Sequence, residues 1–407
     1  MRAFAAPVER FLAVEAASGI VLLASAAVAL LWANSHWASS YEALWTRPLG
    51  LEQGPLPFVR DLRWWVNDGL MTVFFFVVGL EIRRETHAGE LSDLRRAALP
   101  LAAALGGMAV PALIYTAFNA GHATAGGWGV PMATDIAFAV GVLALLGDRV
   151  PPALRILLLA LAVIDDLGAI VIIAVFYSHG LSLPALGLAG LSLFLIAGLL
   201  RAGLRSPLFF LPLGLLAWGA TYAAGVHPTI AGVALGMLVP VAVAPGQAQS
   251  PLERLEHTLH GWVAWLVMPL FALANAGVAL GSLRLEGEGW RVFVGIGLGL
   301  FLGKTLGVVG ASRLAVALRL AALPRGVGWA EVSVVGIVAG IGFTMALFVA
   351  QLAFPPGPDL ETAKLAILAA SAVAGTAGLV LGRAVLRPGG REGAARTAAE
   401  AEASAEV

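Results

Sequence analysis

Ala162-Val163-Ile164-Asp165-Asp166-Leu167-Gly168-Ala169 puts two adjacent carboxylates at the middle of an apolar run, 153–177, that is long enough to cross a lipid bilayer. An ionisable side chain at the bilayer centre costs at least about 2.5–3.5 kcal/mol on insertion scales, so such a pair is first a functional-site hypothesis. Successive residues on a helix point about 100° apart. The two aspartates therefore face different partners, and one is free to meet a cation while the other meets a basic side chain.

Two more charges lie at similar depth. Asp135 is near the middle of the run 127–146, and Lys304 is a little past the middle of 292–311, in Phe301-Leu302-Gly303-Lys304-Thr305. Lysine is otherwise represented only by Lys364. The bland alternative is a structural ion-pair cluster, but three carboxylates against one lysine leave a surplus of negative charge in a low dielectric. A surplus balanced in turn by protons and by a metal cation is the chemistry of an exchanger.

The rest of the chain has the same character. Of 407 residues, 59% are hydrophobic and 12% charged, with a mean hydropathy of +0.88, against about 25% charged in soluble domains. Apolar runs of spanning length recur at 11–33, 65–83, 97–118, 127–146, 153–177, 183–200, 207–222, 226–240, 257–281, 292–311, 329–353 and 363–386. They predict an all-α polytopic membrane protein of about twelve transmembrane helices, rich in Gly and Ala where helices pack closely. The runs do not alternate as barrel strands do. The first run is too long for a signal peptide and reads as a retained span. A polar, turn-rich excursion at 41–60 reads as a hairpin-like loop, and 388–407 reads as a disordered tail beyond a single membrane domain, 1–387. Zero net charge gives no support to a nucleic-acid partner, and the lack of cysteine removes disulfides and thiolate chemistry.

Arginine sets the orientation. With an even number of spans, the termini and alternate loops on their side collect about 18 arginines, and the opposite loops hold only Arg47, Arg60, Arg63, Arg284 and Arg291. Both termini are expected to be cytoplasmic, which puts the 41–60 loop outside.

Two runs carry backbone breakers at mid-span. The first has Gly127, Gly129 and Pro131 before Met132-Ala133-Thr134-Asp135; the second has Gly336 and then Ala339-Gly340-Ile341-Gly342-Phe343-Thr344-Met345. Glycine also serves close packing, but a Pro-x-x-Thr-Asp break beside buried acids favours interrupted helices whose freed carbonyls and half-helix ends face an ion. Asp135 would offset the positive N-terminal ends of such half-helices, and Lys304 the negative C-terminal ends.

At this point the chain resembles a known family, the NhaA sodium/proton antiporters. The resemblance is carried by Trp65-Val66-Asn67-Asp68-Gly69-Leu70-Met71, Val78-Gly79-Leu80-Glu81-Ile82-Arg83-Arg84-Glu85, Pro131-Met132-Ala133-Thr134-Asp135-Ile136-Ala137-Phe138 and Ile164-Asp165-Asp166-Leu167-Gly168-Ala169-Ile170. It continues through Leu255-Glu256-His257, Pro269-Leu270-Phe271-Ala272-Leu273-Ala274-Asn275-Ala276-Gly277, Gly303-Lys304 and Ala339 to Met345.

The resemblance implies a fold of inverted repeats with two discontinuous crossing helices, and roles for residues. Asp166 would be the principal sodium ligand and proton carrier, with Asp165 alongside it and salt-bridged to Lys304 in the empty site. Thr134 and Asp135 would sit where the broken helices cross, around Pro131, Gly340, Gly342 and Thr344. Glu81, Glu85, Glu256, His257 and His260 match positions linked to pH activation, and His227 matches another; ordinary juxtamembrane charge is the competing reading for each.

The function implied is pH-regulated, electrogenic exchange of cytoplasmic sodium or lithium for external protons across a bacterial inner membrane. It implies no cofactor beyond the transported ions, membrane lipid as surroundings, and a homodimer formed through the 41–60 loop. Other classes fit less well. Gly303-Lys304-Thr305 lacks the earlier glycine of a phosphate loop, since residue 298 is Leu298. No Gly-x-Gly-Asp motif of an intramembrane aspartyl protease occurs, and His257-x-x-His260 lacks zinc-protease spacing. A sodium-coupled symporter for an organic anion would have only Lys304 as a buried cation, and an ion channel would need a filter and a continuous pore.

Overall fold

In hydrocarbon every backbone N–H and C=O must be bonded within the protein, so apolar runs of this length resolve into helices. The computed structural model describes residues 2–51, 58–178, 180–204, 207–243, 249–282 and 287–386, and these are almost entirely helical. The tail expected at 388–407 lies outside the described residues, as do residues 52–57 of the 41–60 loop.

Among the described residues, seven helices are long and apolar enough to cross a membrane: Leu62–Ala88, Arg95–Asn119, Pro152–Phe176, Leu183–Arg201, Pro251–Asn275, Gly289–Ala317 and Pro358–Val385. The number rises to ten if each of three bent pairs is one span. These pairs are Ala17–Ala33 with Ala38–Trp45, Ala123–Met132 with Ile136–Leu145, and Trp329–Ala339 with Phe343–Ala353, bent by 116°, 44° and 48°. Phe209–Ala223 and Thr229–Leu238 are apolar but shorter.

Several boundaries differ from those read along the sequence. The run expected at 257–281 is a helix over Pro251–Asn275. It starts early because Ser250 and Glu253 form a capping box: the Ser250 hydroxyl accepts from Glu253 N–H at 3.1 Å, and Glu253 Oε2 accepts from Ser250 N–H at 2.8 Å. It stops where Gly277 lies flat against the ring of Tyr41, whose hydroxyl donates to the carbonyls of Leu273 and Ala274.

The loop expected at 41–60 divides differently too. Its first residues complete the Ala38–Trp45 helix, and antiparallel strands Pro48–Leu51 and Phe58–Asp61 follow, pairing Leu49 with Arg60. Arg60 lies over the rings of Phe58 and Tyr222, so the hairpin base docks on the Pro207–Ala223 helix.

Large apolar side chains remain exposed along the helix flanks, such as Leu183, Leu191 and Phe194 of Leu183–Arg201. The buried core instead joins Pro152–Phe176, the two halves of Trp329–Ala353 and the inner faces of their neighbours.

Candidate functional site

The site is built where the two mid-span breaks meet. Residues 133–135 separate the 3-10 helix Ala123–Met132, which contains Pro131, from Ile136–Leu145; residues 340–342 separate Trp329–Ala339 from Phe343–Ala353. Each break leaves backbone groups that no longer have a helical partner, and the other segment supplies one. Asp135 N–H donates to Ile341 C=O at 2.7 Å, and the Thr134 hydroxyl donates to Ala339 C=O at 2.8 Å.

The Asp135 carboxylate serves both segments. Its Oδ1 accepts from Phe138 N–H at 3.0 Å, capping its own helix, while its Oδ2 accepts from Thr344 N–H at 3.1 Å and from the Thr344 hydroxyl. Glycine is required at this approach. A Cβ on Gly340 would stand 2.4 Å from Leu300 O, and one on Gly342 would stand 2.7 Å from Leu300 Cδ2 and 3.0 Å from Ala133 O.

The two aspartates of the Pro152–Phe176 helix diverge as successive helical residues must. Lys304 Nζ donates to both oxygens of Asp165 at 2.8 Å and to the carbonyl of Met132, one of the groups freed by the first break. Asp166 turns away from this pair. Its Oδ2 is buried and has no hydrogen-bond partner among the described residues. Thr134, Asp135, Asp165, Asp166, Lys304 and Thr344 are all no more than 2% exposed.

A cavity of about 690 Å³ reaches this point from one end of the helices. Asp166 and Asp135 line it, as do Glu81, Glu85, Glu256, His257 and His260. The structure thus brings five of the six residues matched to pH activation into the cavity that Asp135 and Asp166 line. At its mouth Glu256 forms an ion pair with Arg84, whose Nη2 is also 3.5 Å from Glu85, and Glu85 accepts from Glu90 N–H at 3.1 Å.

His227 is elsewhere. Its Nε2 is 3.2 Å from Asp68 Oδ1 and its Nδ1 is 2.7 Å from the Thr229 hydroxyl. Asp68 lies 13 residues before Glu81 on the Leu62–Ala88 span, about 20 Å away at 1.5 Å per residue, so the pair belongs to the opposite end. Sequence reasoning passed over Asp68 as a site residue, although an acid inside an apolar run was the available signal. Arg84 was also passed over, since an arginine at a helix end is commonplace.

Among the described residues no three His, Asp or Glu side chains converge as they would around a tightly held metal ion.

Bent apolar spans enclosing buried carboxylates that a cavity reaches define a multi-pass membrane protein. Comparison with known proteins makes this specific. The family model described as Na+/H+ antiporter 1 matches residues 9–381. The Na(+)/H(+) antiporter NhaA 2 of Myxococcus xanthus is 53% identical, over 98% of this chain and 93% of its own length. The Na(+)/H(+) antiporter NhaA 2 of Sorangium cellulosum is 54% identical over 98% and 94%, and the Na(+)/H(+) antiporter NhaA of Acidovorax sp. 52% over 90% and 89%. The chain belongs to the NhaA family of sodium/proton antiporters, a family of transporters and not of enzymes.

Proposed function

We propose that the protein exports sodium or lithium in electrogenic, pH-regulated exchange for external protons by alternating access, with Asp166 as the carboxylate that takes either ion. The observation that carries this reading is Asp166 Oδ2, a buried carboxylate oxygen on the wall of a cavity with no partner among the described residues, beside an Asp165 that Lys304 already neutralises.

A low-dielectric site stabilises the carboxylate only when a proton or a cation is present. As cytoplasmic pH rises, Asp166 loses its proton and becomes a ligand. Sodium takes oxygen donors, and Asp166, Asp165, Asp135, Thr134 and the carbonyls freed at the two breaks supply them. Competition of sodium with Lys304 for Asp165 ties the ion to the salt bridge. Because one carboxylate serves both ions, their binding is mutually exclusive, and this couples the fluxes. Emptying more than one protonated group per monovalent cation moves net charge and draws on the membrane potential.

In this reading the two bent segments are discontinuous helices of an inverted repeat. Counting the two shorter apolar helices as spans brings the total to the twelve expected. The arginine bias supports a cavity opening to the cytoplasm of a bacterium, with both termini there and the protein in the inner membrane. The mouth acids with His257 and His260 then sense cytoplasmic pH, carboxylates and imidazoles being the side chains suited to that task. The exposed leucines face lipid, and the hairpin on the opposite side is the surface for a homodimer.

The test is Asp166→Asn in proteoliposomes. Sodium added to the wild type collapses an imposed pH gradient and potassium does not; the variant leaves the gradient intact. Sodium-dependent proton movement retained in Asp166→Asn would sink the assignment.

A further inference from the structure

The cavity lies between two groups of helices. One wall comes from Leu62–Ala88 and Pro251–Asn275, through Phe74, Glu81, Glu256 and Met268; the other comes from the bent segments and Pro152–Phe176, through Asp135, Asp166 and Met345. Beyond the site, the same two walls touch. Phe348 packs its ring 5.2 Å from that of Phe75 and 6.2 Å from that of Phe271, with His227 at 5.1 Å on its flank.

Next to this aromatic contact is a knot of amides. Asn67 donates to Gln351 Oε1 and, at 3.4 Å, to Asn275 Oδ1, and Asn275 donates back to Asn67 Oδ1 at 2.7 Å. All three helices run away from the cavity here. Phe348 and Gln351 lie three and six residues past Met345, Phe271 and Asn275 three and seven past Met268, and Asn67 seven before Phe74. At 1.5 Å per residue the seam spans about 10 Å on the far side of the site.

Simple packing is a poor account of it. Leucines would join these helices with no polar group to satisfy, and Gln351 Nε2 is buried without a partner among the described residues. One of these amide bonds, Asn67 to Gln351, crosses between the walls, the two between Asn67 and Asn275 brace one wall, and the aromatic contact beside them is apolar. Together they hold one end of the pathway closed and still permit it to part.

We propose that Phe348, Gln351, Asn67 and Asn275 form the latch that closes the side opposite the cavity, and that it must part for the ion to leave. This rests on the exchange reading above. Phe348 is the seal, three residues beyond the Met345 wall and one turn beyond Thr344. Asn67 and Gln351 bind the wall that holds the bent segments to the wall that does not, Asn275 steadies Asn67, and the Asp68–His227 pair borders them.

The chain contains no cysteine, so introduced thiols report without background. In proteoliposomes, Asn67→Cys with Gln351→Cys is bridged by a short bifunctional thiosulfonate. Bridging is expected to slow exchange roughly tenfold or more relative to the same protein unbridged, with recovery on reduction, because opening gates turnover. Gln351→Cys alone is then labelled with a membrane-impermeant maleimide from the side opposite the cavity. Labelling is expected to be roughly threefold faster when sodium and a proton gradient drive turnover, and fast without sodium once Phe348→Ala is added. The labelling result decides the matter if the double variant exchanges poorly before bridging. Exchange undiminished by the bridge, or labelling indifferent to both sodium and Phe348→Ala, overturns the latch. If the unsubstituted parent exchanges no sodium for protons, the functional reading has failed instead.

Discussion

Lys304 holds both carboxylate oxygens of Asp165 at 2.8 Å, and the next residue along the helix, Asp166, has an oxygen with no partner among the described residues. Two chemically identical neighbours thus have different environments because a helix turns about 100° per residue. One side chain is tied to the protein, and the other is the one that the proposed exchange assigns to the ion.

Removing Lys304 tests that division. Lys304→Ala leaves Asp165 as an uncompensated buried charge, a change that costs about 3–5 kcal/mol in other buried pairs. The variant is expected to unfold at lower temperature in detergent than the wild type. The deficit should be larger at alkaline pH, where the aspartate is ionised, and smaller in acid, where a proton replaces the lysine. Thermal melts across pH measure it, and a deficit independent of pH would show that the pair contributes through packing.

Asp135 has a structural task as well as its charge, and two substitutions separate them. Asparagine caps a helix about as well as aspartate, whereas losing the cap to alanine costs about 0.5–2 kcal/mol. Asparagine keeps an oxygen to cap Phe138, but its amide nitrogen cannot accept from Thr344, so Asp135→Asn is expected to melt below wild type and above Asp135→Ala while needing more sodium for half-maximal exchange. Equal melting temperatures for the two variants would remove the capping argument.

Gly340 and Gly310 make a matched pair. Alanine at 340 would push a methyl to 2.4 Å from the Leu300 carbonyl, whereas alanine at 310 meets nothing within 4 Å. Overpacking of this kind costs about 1–3 kcal/mol. Gly340→Ala should lower the melting temperature and the yield of monodisperse protein, and Gly310→Ala should leave both unchanged. Size-exclusion profiles after heating decide between them.

The cavity mouth predicts the pH response. His257 and His260 share that mouth with Glu81, Glu85, Glu256 and Arg84. A histidine that gives up its proton leaves the mouth more negative and more attractive to sodium. Exchange is expected to rise with pH in the wild type and to vary less with pH in the double variant His257→Ala, His260→Ala. An unaltered pH profile in the double variant would assign the response to the carboxylates alone.

Much of this was legible along the chain because the bilayer constrains sequences so strongly. Runs of apolar residues have to be helices, and Asp135, Asp165, Asp166 and Lys304 stand out within them because each is costly there. The Thr-Asp after Pro131 and the glycines at 340 and 342 marked where regular helix would fail. Helix ends were less legible. The Ser250–Glu253 capping box extended one span by six residues before its apolar run began, and hydropathy does not register a cap.

By itself, then, the sequence determined that this is a polytopic helical protein with charges at mid-membrane and breaks in two of its spans. The pairing of Lys304 with Asp165 came from the resemblance and not from the residues themselves, and only the tertiary structure decided that Asp135 answers Thr344 from 209 residues away and that Glu81 to His260 share a cavity while His227 stands apart with Asp68. The physical reason is that burial costs and helical period are local properties, written residue by residue. Which charge meets which partner depends on how helices distant in the chain rotate and cross, and that follows from packing.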